Sequence, residues 1–333
     1  MKNPMLEYQC LLTEAHSWLQ EDNEAKALIS LRKGLRIGRE NDFFLPDYPW
    51  DLAVTSHLFA LALWFGIEVP YVQRLIRRHH CRPHIKAGSQ ELEAWPWPVR
   101  IYTLGRFDVL LDGVPLRFAR KAQHKPLELL KCLCAYGGHA VNLSLLTDAL
   151  WPDSEGDAAE QALRTTLHRL RKLLKHARSI RMEDRYLSFD PDYVWVDSIV
   201  FDRVAHLPDV APVSIQRALN WYRGHFLEGE TACWALHFRD RLRTHYIGMT
   251  ERFGDLLEQS KNWQDAATCY LKAIEAEPAA ELFYRRLMVC YTRLSQRTEA
   301  LFTYQRLRHA LRSHLGIGPS QETLLLYQTL VAA

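Results

Sequence analysis

Gln161, Arg164, Thr165, His168 and Lys172 recur at short, helix-compatible steps within the segment DAAEQALRTTLHRLRKLLK. At ~100° per residue this spacing gathers amide, guanidinium, hydroxyl, imidazole and ammonium groups on one side of a helix. Such groups can read the edges of base pairs. An arginine pairs two-pronged with guanine, and a glutamine does the same with adenine. The opposite side carries Ala159, Ala162, Leu163, Thr166, Leu167, Leu170, Leu173 and Leu174, the stripe of a helix buried along its back. A lone cationic helix face is most often a solvated surface, so the neighbouring elements have to decide between the two readings.

Those neighbours are informative. KPLELLKCLCAYGG and NLSLLTDALW have the apolar pattern of two short helices, and the polar break PDSEGD separates them from the segment above. SIRMEDRYLSF follows, two alternating runs around Glu183-Asp184-Arg185, with Ile180, Met182, Leu187 and Phe189 as the inward set of a β-hairpin. Three helices and a basic hairpin predict a winged helix-turn-helix, whose third helix enters the major groove. Arg169, Arg171, Lys175, Arg181 and Arg185 are then expected on phosphates beside that groove. Arg120, Lys121 and Lys125 fall just before or at the start of the first helix. A phosphate could meet them there at the helix N-terminus, and a reading as ordinary loop charges stands beside that one.

The rest of the chain sets the frame. Residues 1–81 are predicted to be helical and repeat-like, and Pro96 and Pro98 alternating with Trp95 and Trp97 predict an extended connector over 82–98. From Val99 the pattern turns to period two, with Gly105 and Asp112-Gly113 as turns, so a winged-helix unit is expected over 99–205. Helices dominate 213–333. Ala266 and Ala300 lie 34 residues apart, as do Tyr270 and Tyr304, the period of tetratricopeptide repeats. The fold class expected is mainly α with a small antiparallel β portion, a winged helix-turn-helix flanked by tetratricopeptide-like helices.

Composition removes several classes of function. With 48% hydrophobic and 24% charged residues and a net charge of +3, the chain is ordinary for a globular protein, and its overall charge says little about nucleic acid. No run reaches the ~18 apolar residues a membrane helix needs, and no membrane partner is expected. The seven cysteines are scattered without a C-x-x-C pair, which predicts reduced thiols in a cytoplasm and no zinc frame. No phosphate loop, G-x-S-x-G, H-E-x-x-H or glycine-rich dinucleotide turn is present. Neither catalysis nor a cofactor or metal is therefore expected.

RIYTLGRFDV, RKAQHKPLELLK, ALWPDSEGDAA, LRTTLHRLRKLL, YVWVD, WYRGHFLEG and LGIGPSQETLLLY occur in unbroken order. Together they resemble the bacterial transcriptional activator domain family, the SARP-type regulators, in which an OmpR-type winged helix precedes a tetratricopeptide-like region. The first 80 residues resemble the end of the helical repeats in MalT-like regulators, where an NTPase module lies upstream. The missing phosphate loop makes a short or truncated member the expectation. The resemblance implies a sequence-specific regulator, an activator acting at double-stranded promoter DNA in the cytoplasm, on the nucleoid when bound. It also implies a loop that faces RNA polymerase, here Trp151, Asp153, Glu155 and Asp157; the competing role for that loop is a connector in which Asp157 caps the third helix. Apart from the resemblance, a second copy of the chain is an expected partner, since DNA-binding dimers read half-sites about one helical turn apart. The alternative kept open is a helical-repeat scaffold or adaptor whose winged helix binds protein.

Overall fold

The computed structural model describes residues 3–44, 51–83, 92–117, 124–154, 156–208 and 210–332. Arg120, Lys121 and Glu155 lie outside them. The chain opens on an antiparallel helix pair, α1 (Pro4–Gln20) and α2 (Glu24–Glu40). Each starts on an asparagine, Asn3 or Asn23, whose side chain accepts backbone N–H groups that the first turn leaves unpaired. A Cβ at Gly38 would stand 2.4 Å from the Tyr71 hydroxyl and 2.8 Å from the Tyr8 ring, so glycine sets how closely these elements approach. Tyr71 belongs to α4 (Val69–His79), which follows the strongly apolar α3 (Leu52–Trp64).

Residues 92–98 do not stand free as a connector. Trp95 and Trp97 are buried, the indole of Trp97 donates to the Leu92 carbonyl at 2.9 Å, and Gln73 on α4 donates to the Ala94 carbonyl at 2.8 Å. Two tryptophans expose too much apolar area to remain in water when a core lies within reach. They continue the interior of the helical segment into that of the sheet behind them.

The sheet runs β3-β2-β1-β7, from β1 (Val99–Tyr102), β2 (Asp108–Leu111), β3 (Val114–Pro115) and β7 (Val194–Val196). Asp112 and Gly113 both have positive φ, 50° and 86°, as a tight two-residue hairpin between β2 and β3 requires. Pairing is antiparallel except where β7 returns beside β1 in parallel. Three helices separate these strands: α5 (His124–Ala135), α6 (Leu143–Leu150) and α7 (Gly156–Leu174). A second sheet, β4-β6-β5, is made by Val141–Asn142 (β4) and the hairpin Ile180–Glu183 (β5) with Tyr186–Phe189 (β6). Its register sets Ile180 opposite Phe189 and Met182 opposite Leu187, the inward set read from the sequence.

After β7 come α8 (Asp197–His206), α9 (Pro212–Trp221) and the long α10 (Cys233–Gln259). The hook between α9 and α10 grips the sheet. Gly105 N–H donates to the His225 carbonyl at 3.0 Å and Leu227 N–H to the Thr103 carbonyl at 2.8 Å. Gly105 has φ +76°, and a Cβ there would meet the Arg223 backbone at 2.8 Å. Arg239 on α10 holds the hook from behind, donating to the carbonyls of Phe226, Leu227 and Glu230. Helical hairpins then stack as α11 (Trp263–Ala276), α12 (Glu281–Arg293), α13 (Arg297–Leu315) and α14 (Gln321–Ala332). The repeated alanines, Ala266 and Ala300, are fully buried between them, as the 34-residue period implies.

Asp197, the first residue of α8, is fully buried. Its carboxylate accepts N–H groups of Thr103, Leu104 and Ser198 at 2.7–3.1 Å and the Thr103 hydroxyl at 2.7 Å. Burial pushes its pKa up to about 6 against these hydrogen bonds. Since that lies above the ~3.9 of an exposed aspartate, its contribution to stability is full below about pH 4 and is lost as pH rises through about 6. Asp197→Asn turns an amide donor toward backbone donors and should cost about 2 kcal/mol. In urea unfolding the deficit of this variant should be larger at pH 5 than at pH 7.5, because only the wild-type pays for an ionised buried carboxylate.

Candidate nucleic-acid interface

The leucine-rich back of α7 decides how its polar front is held. Ala159, Leu163, Thr166, Leu167, Leu170 and Leu174 are buried, against α5 on one side and α6 on the other. That packing fixes the rotation of the helix about its axis. Gln161, Arg164, Thr165, His168 and Lys172 accordingly face out, all exposed. They stand along one surface about three turns long.

The expected phosphate contacts divide into two sets. Arg171 is half-buried and donates twice to the Ile180 carbonyl, at 3.1 and 2.8 Å, which ties α7 to the first strand of the hairpin. Arg181 forks onto the buried carboxylate of Asp190 at 2.8 and 2.6 Å. Lys125 donates to the Leu150 carbonyl at 2.9 Å, pairs with Glu128 at 3.0 Å and lies over the Trp151 ring. These three cations hold the unit together internally. Among the described residues, Arg169, Lys172, Lys175 and Arg178 form no ion pair, and all four are exposed.

Glu160 links the helix to the hairpin turn. Its carboxylate receives Arg164 at 2.8 Å and Arg185 at 3.3 Å, and these hydrogen-bonded cations hold its pKa below the usual carboxylate value. The Glu160–Arg164 spacing of four residues was legible as a helical ion pair; that Arg185 joins it was not. Arg178 was also overlooked, an exposed cation in the 3-10 turn Ala177–Ser179 beyond the end of α7.

In the loop before α7, Trp151 is half-buried against Lys125, and Asp153 is exposed. Asp157 does not cap the helix. α7 already begins at Gly156, so Asp157 sits within its first turn, where its charge complements the helix dipole.

This geometry separates stability from surface chemistry. Alanine at Gln161, Thr165, His168 or Lys172 should shift the unfolding free energy by no more than about 0.5 kcal/mol. Leu167→Ala or Leu170→Ala should cost about 2–5 kcal/mol. Denaturant titration of the six variants checks the division.

Comparison with known proteins places this arrangement. Residues 203–331 match the family model described as the bacterial transcriptional activator domain. Regulatory protein AfsR of Streptomyces griseus is 26% identical over 213 residues, which span 62% of this chain but 22% of AfsR. The solved structure of Mycobacterium tuberculosis EmbR, in complex with a low-affinity phosphopeptide, superposes with a TM-score of 0.51 at 18% identity, covering 71% of this chain and 65% of that one. At that identity the likeness speaks for the fold alone. The chain thus spans about a fifth of the curated relative, and it is residues 203–331, within the α8–α14 array, that match the bacterial transcriptional activator domain.

Proposed function

We propose that the chain is a DNA-binding transcriptional regulator whose α7 lies in the major groove of a promoter. The observation that carries this reading is the outward face of α7, a continuous polar surface held by a leucine back and flanked by Arg169, Lys175 and Arg178, exposed cations that form no ion pair among the described residues. The match of residues 203–331 to the bacterial transcriptional activator domain supports the same reading. In this proposal Gln161, Arg164, Thr165, His168 and Lys172 read bases. Arg169, Lys175 and Arg185 hold phosphates, joined by Arg178. Lys125, Arg171 and Arg181 act mainly by fixing the helix and hairpin to one another, since their donors are already engaged. Glu160 keeps Arg164 extended along the helix until a base edge competes for its guanidinium.

The proposal divides the chain as 1–81, a helical repeat-like domain; 82–98, a linker; 99–205, the winged-helix DNA-binding domain; and 213–333, the tetratricopeptide-like activator domain. It has the regulator act in the cytoplasm on nucleoid DNA. No helix among the described residues is long and apolar enough to cross a membrane. The acidic loop before α7 is repelled by phosphate and is better suited to a protein, which we take to be RNA polymerase. Paired half-sites about one helical turn apart would call for two copies of the chain.

Two variants test the assignment of bases and phosphates. Arg164→Ala should relax sequence preference at one base pair, with discrimination falling by about 1–3 kcal/mol. Lys175→Ala should weaken every duplex alike and reduce the slope of log affinity against log salt by about 1. Gel-shift titrations over a salt series check both, and identical behaviour of the two variants would refute the division of roles. No salt-sensitive affinity for any duplex would instead favour the scaffold reading. For activation, replacing Pro152–Asp157 by Gly/Ser should lower transcript yield in vitro at unchanged promoter occupancy, measured by footprinting in the same reaction.

A further inference from the structure

Where the DNA-binding unit meets the helical array, α8 packs against α10. Asp202 and His206 lie one helical turn apart on α8, and His245 faces them from α10. One ligand atom from each lies within 4.8 Å of the other two. Asp202 Oδ1 and His245 Nδ1 are both buried and pair with one another at 3.1 Å. Their separation is close to the edge of a tetrahedron of ligands about 2.0 Å from a zinc ion, about 3.3 Å.

The surroundings orient all three groups. Arg241 donates to the other carboxylate oxygen, Asp202 Oδ2, at 3.0 Å and leaves Oδ1 turned toward the histidines. His206 is hydrogen-bonded through Nδ1 to the Asp202 carbonyl at 2.7 Å, the kind of backbone bond that fixes a ligating imidazole. The two rings meet edge-on with centroids 4.6 Å apart. The sequence shows only a D-x-x-x-H turn; the third ligand comes from 39 positions further on, and only packing brings it there.

We propose that Asp202, His206 and His245 bind a divalent transition-metal ion of the zinc class, with water completing the coordination on the exposed His206 side. The ion staples α8 to α10 and so fixes the DNA-binding unit against the activator domain. This does not depend on the DNA-binding proposal, since the ligands lie outside the α7 face.

The test uses the full chain, stripped with chelator and with the exposed Cys10 and Cys233 changed to serine so that thiols do not compete. Zn²⁺ is titrated calorimetrically and by thermal unfolding, and Co²⁺ by visible absorption. One equivalent should bind, the unfolding midpoint should rise by several degrees, and Co²⁺ should give weak visible bands without thiolate charge transfer. His245→Gln and His206→Gln should each weaken binding roughly tenfold or more. His206 is mostly exposed, so His206→Gln should keep the fold even if His245→Gln does not. Absence of binding at ~10 micromolar metal, or binding unchanged in His206→Gln, overturns the proposal.

Discussion

One residue pair joins the parts of this protein. Thr103 directly follows the first strand, and its N–H and hydroxyl both go to the buried carboxylate of Asp197 at the start of α8. Its carbonyl accepts the Leu227 N–H from the hook before α10. Strand, helix and hook therefore meet at a single peptide, and none of the three can shift without orphaning a buried polar group. Because β1 and α8 bracket the three helices and the hairpin, the same node closes the unit that carries α7. Glu277 plays a comparable part further along. It is buried and accepts from the Tyr222 hydroxyl at 3.0 Å and from Arg243 at 2.8 Å, so α9 and α10 are drawn to the end of α11.

The candidate interface is built on that frame by a different device. Its helix is oriented by apolar packing, but the hairpin is set by charge-assisted hydrogen bonds. Arg171 to the Ile180 carbonyl and Arg181 to Asp190 cost two cations that a surface count would assign to DNA. What they supply is a fixed distance between α7 and the turn bearing Arg185. A site prepared in this way loses less entropy on binding than one built from free side chains.

In the C-terminal array, small residues control spacing. A Cβ at Gly254 would stand 2.1 Å from the Tyr270 hydroxyl, so α10 and α11 can approach only because position 254 is glycine. Tyr270 in turn donates to Glu258 at 2.7 Å, and at the equivalent place one repeat later Tyr304 stacks on Tyr327 at 3.9 Å. The last helix is tied back by Arg297, which donates to the Leu330 and Val331 carbonyls at its C-terminal end.

The sequence by itself determined whatever depends on near neighbours. The two-faced pattern from Ala159 to Leu174, the inward set of the 180–189 hairpin, the Asp112-Gly113 turn and the 34-residue period all lie within a few turns or one repeat, and each is present in the fold. Tertiary structure alone decided which cations remain available, since Arg171 and Arg181 look identical to Arg169 and Lys175 until their partners are known. It likewise turned Trp95 and Trp97 from a connector into core, and brought Asp197 to Thr103 across 94 positions and His245 to Asp202 from another helix. The physical reason is the same throughout. Periodicity and turn chemistry are local properties of the backbone, whereas the pairing of a buried carboxylate or a guanidinium depends on which distant element packs against it, and no local pattern encodes that distance.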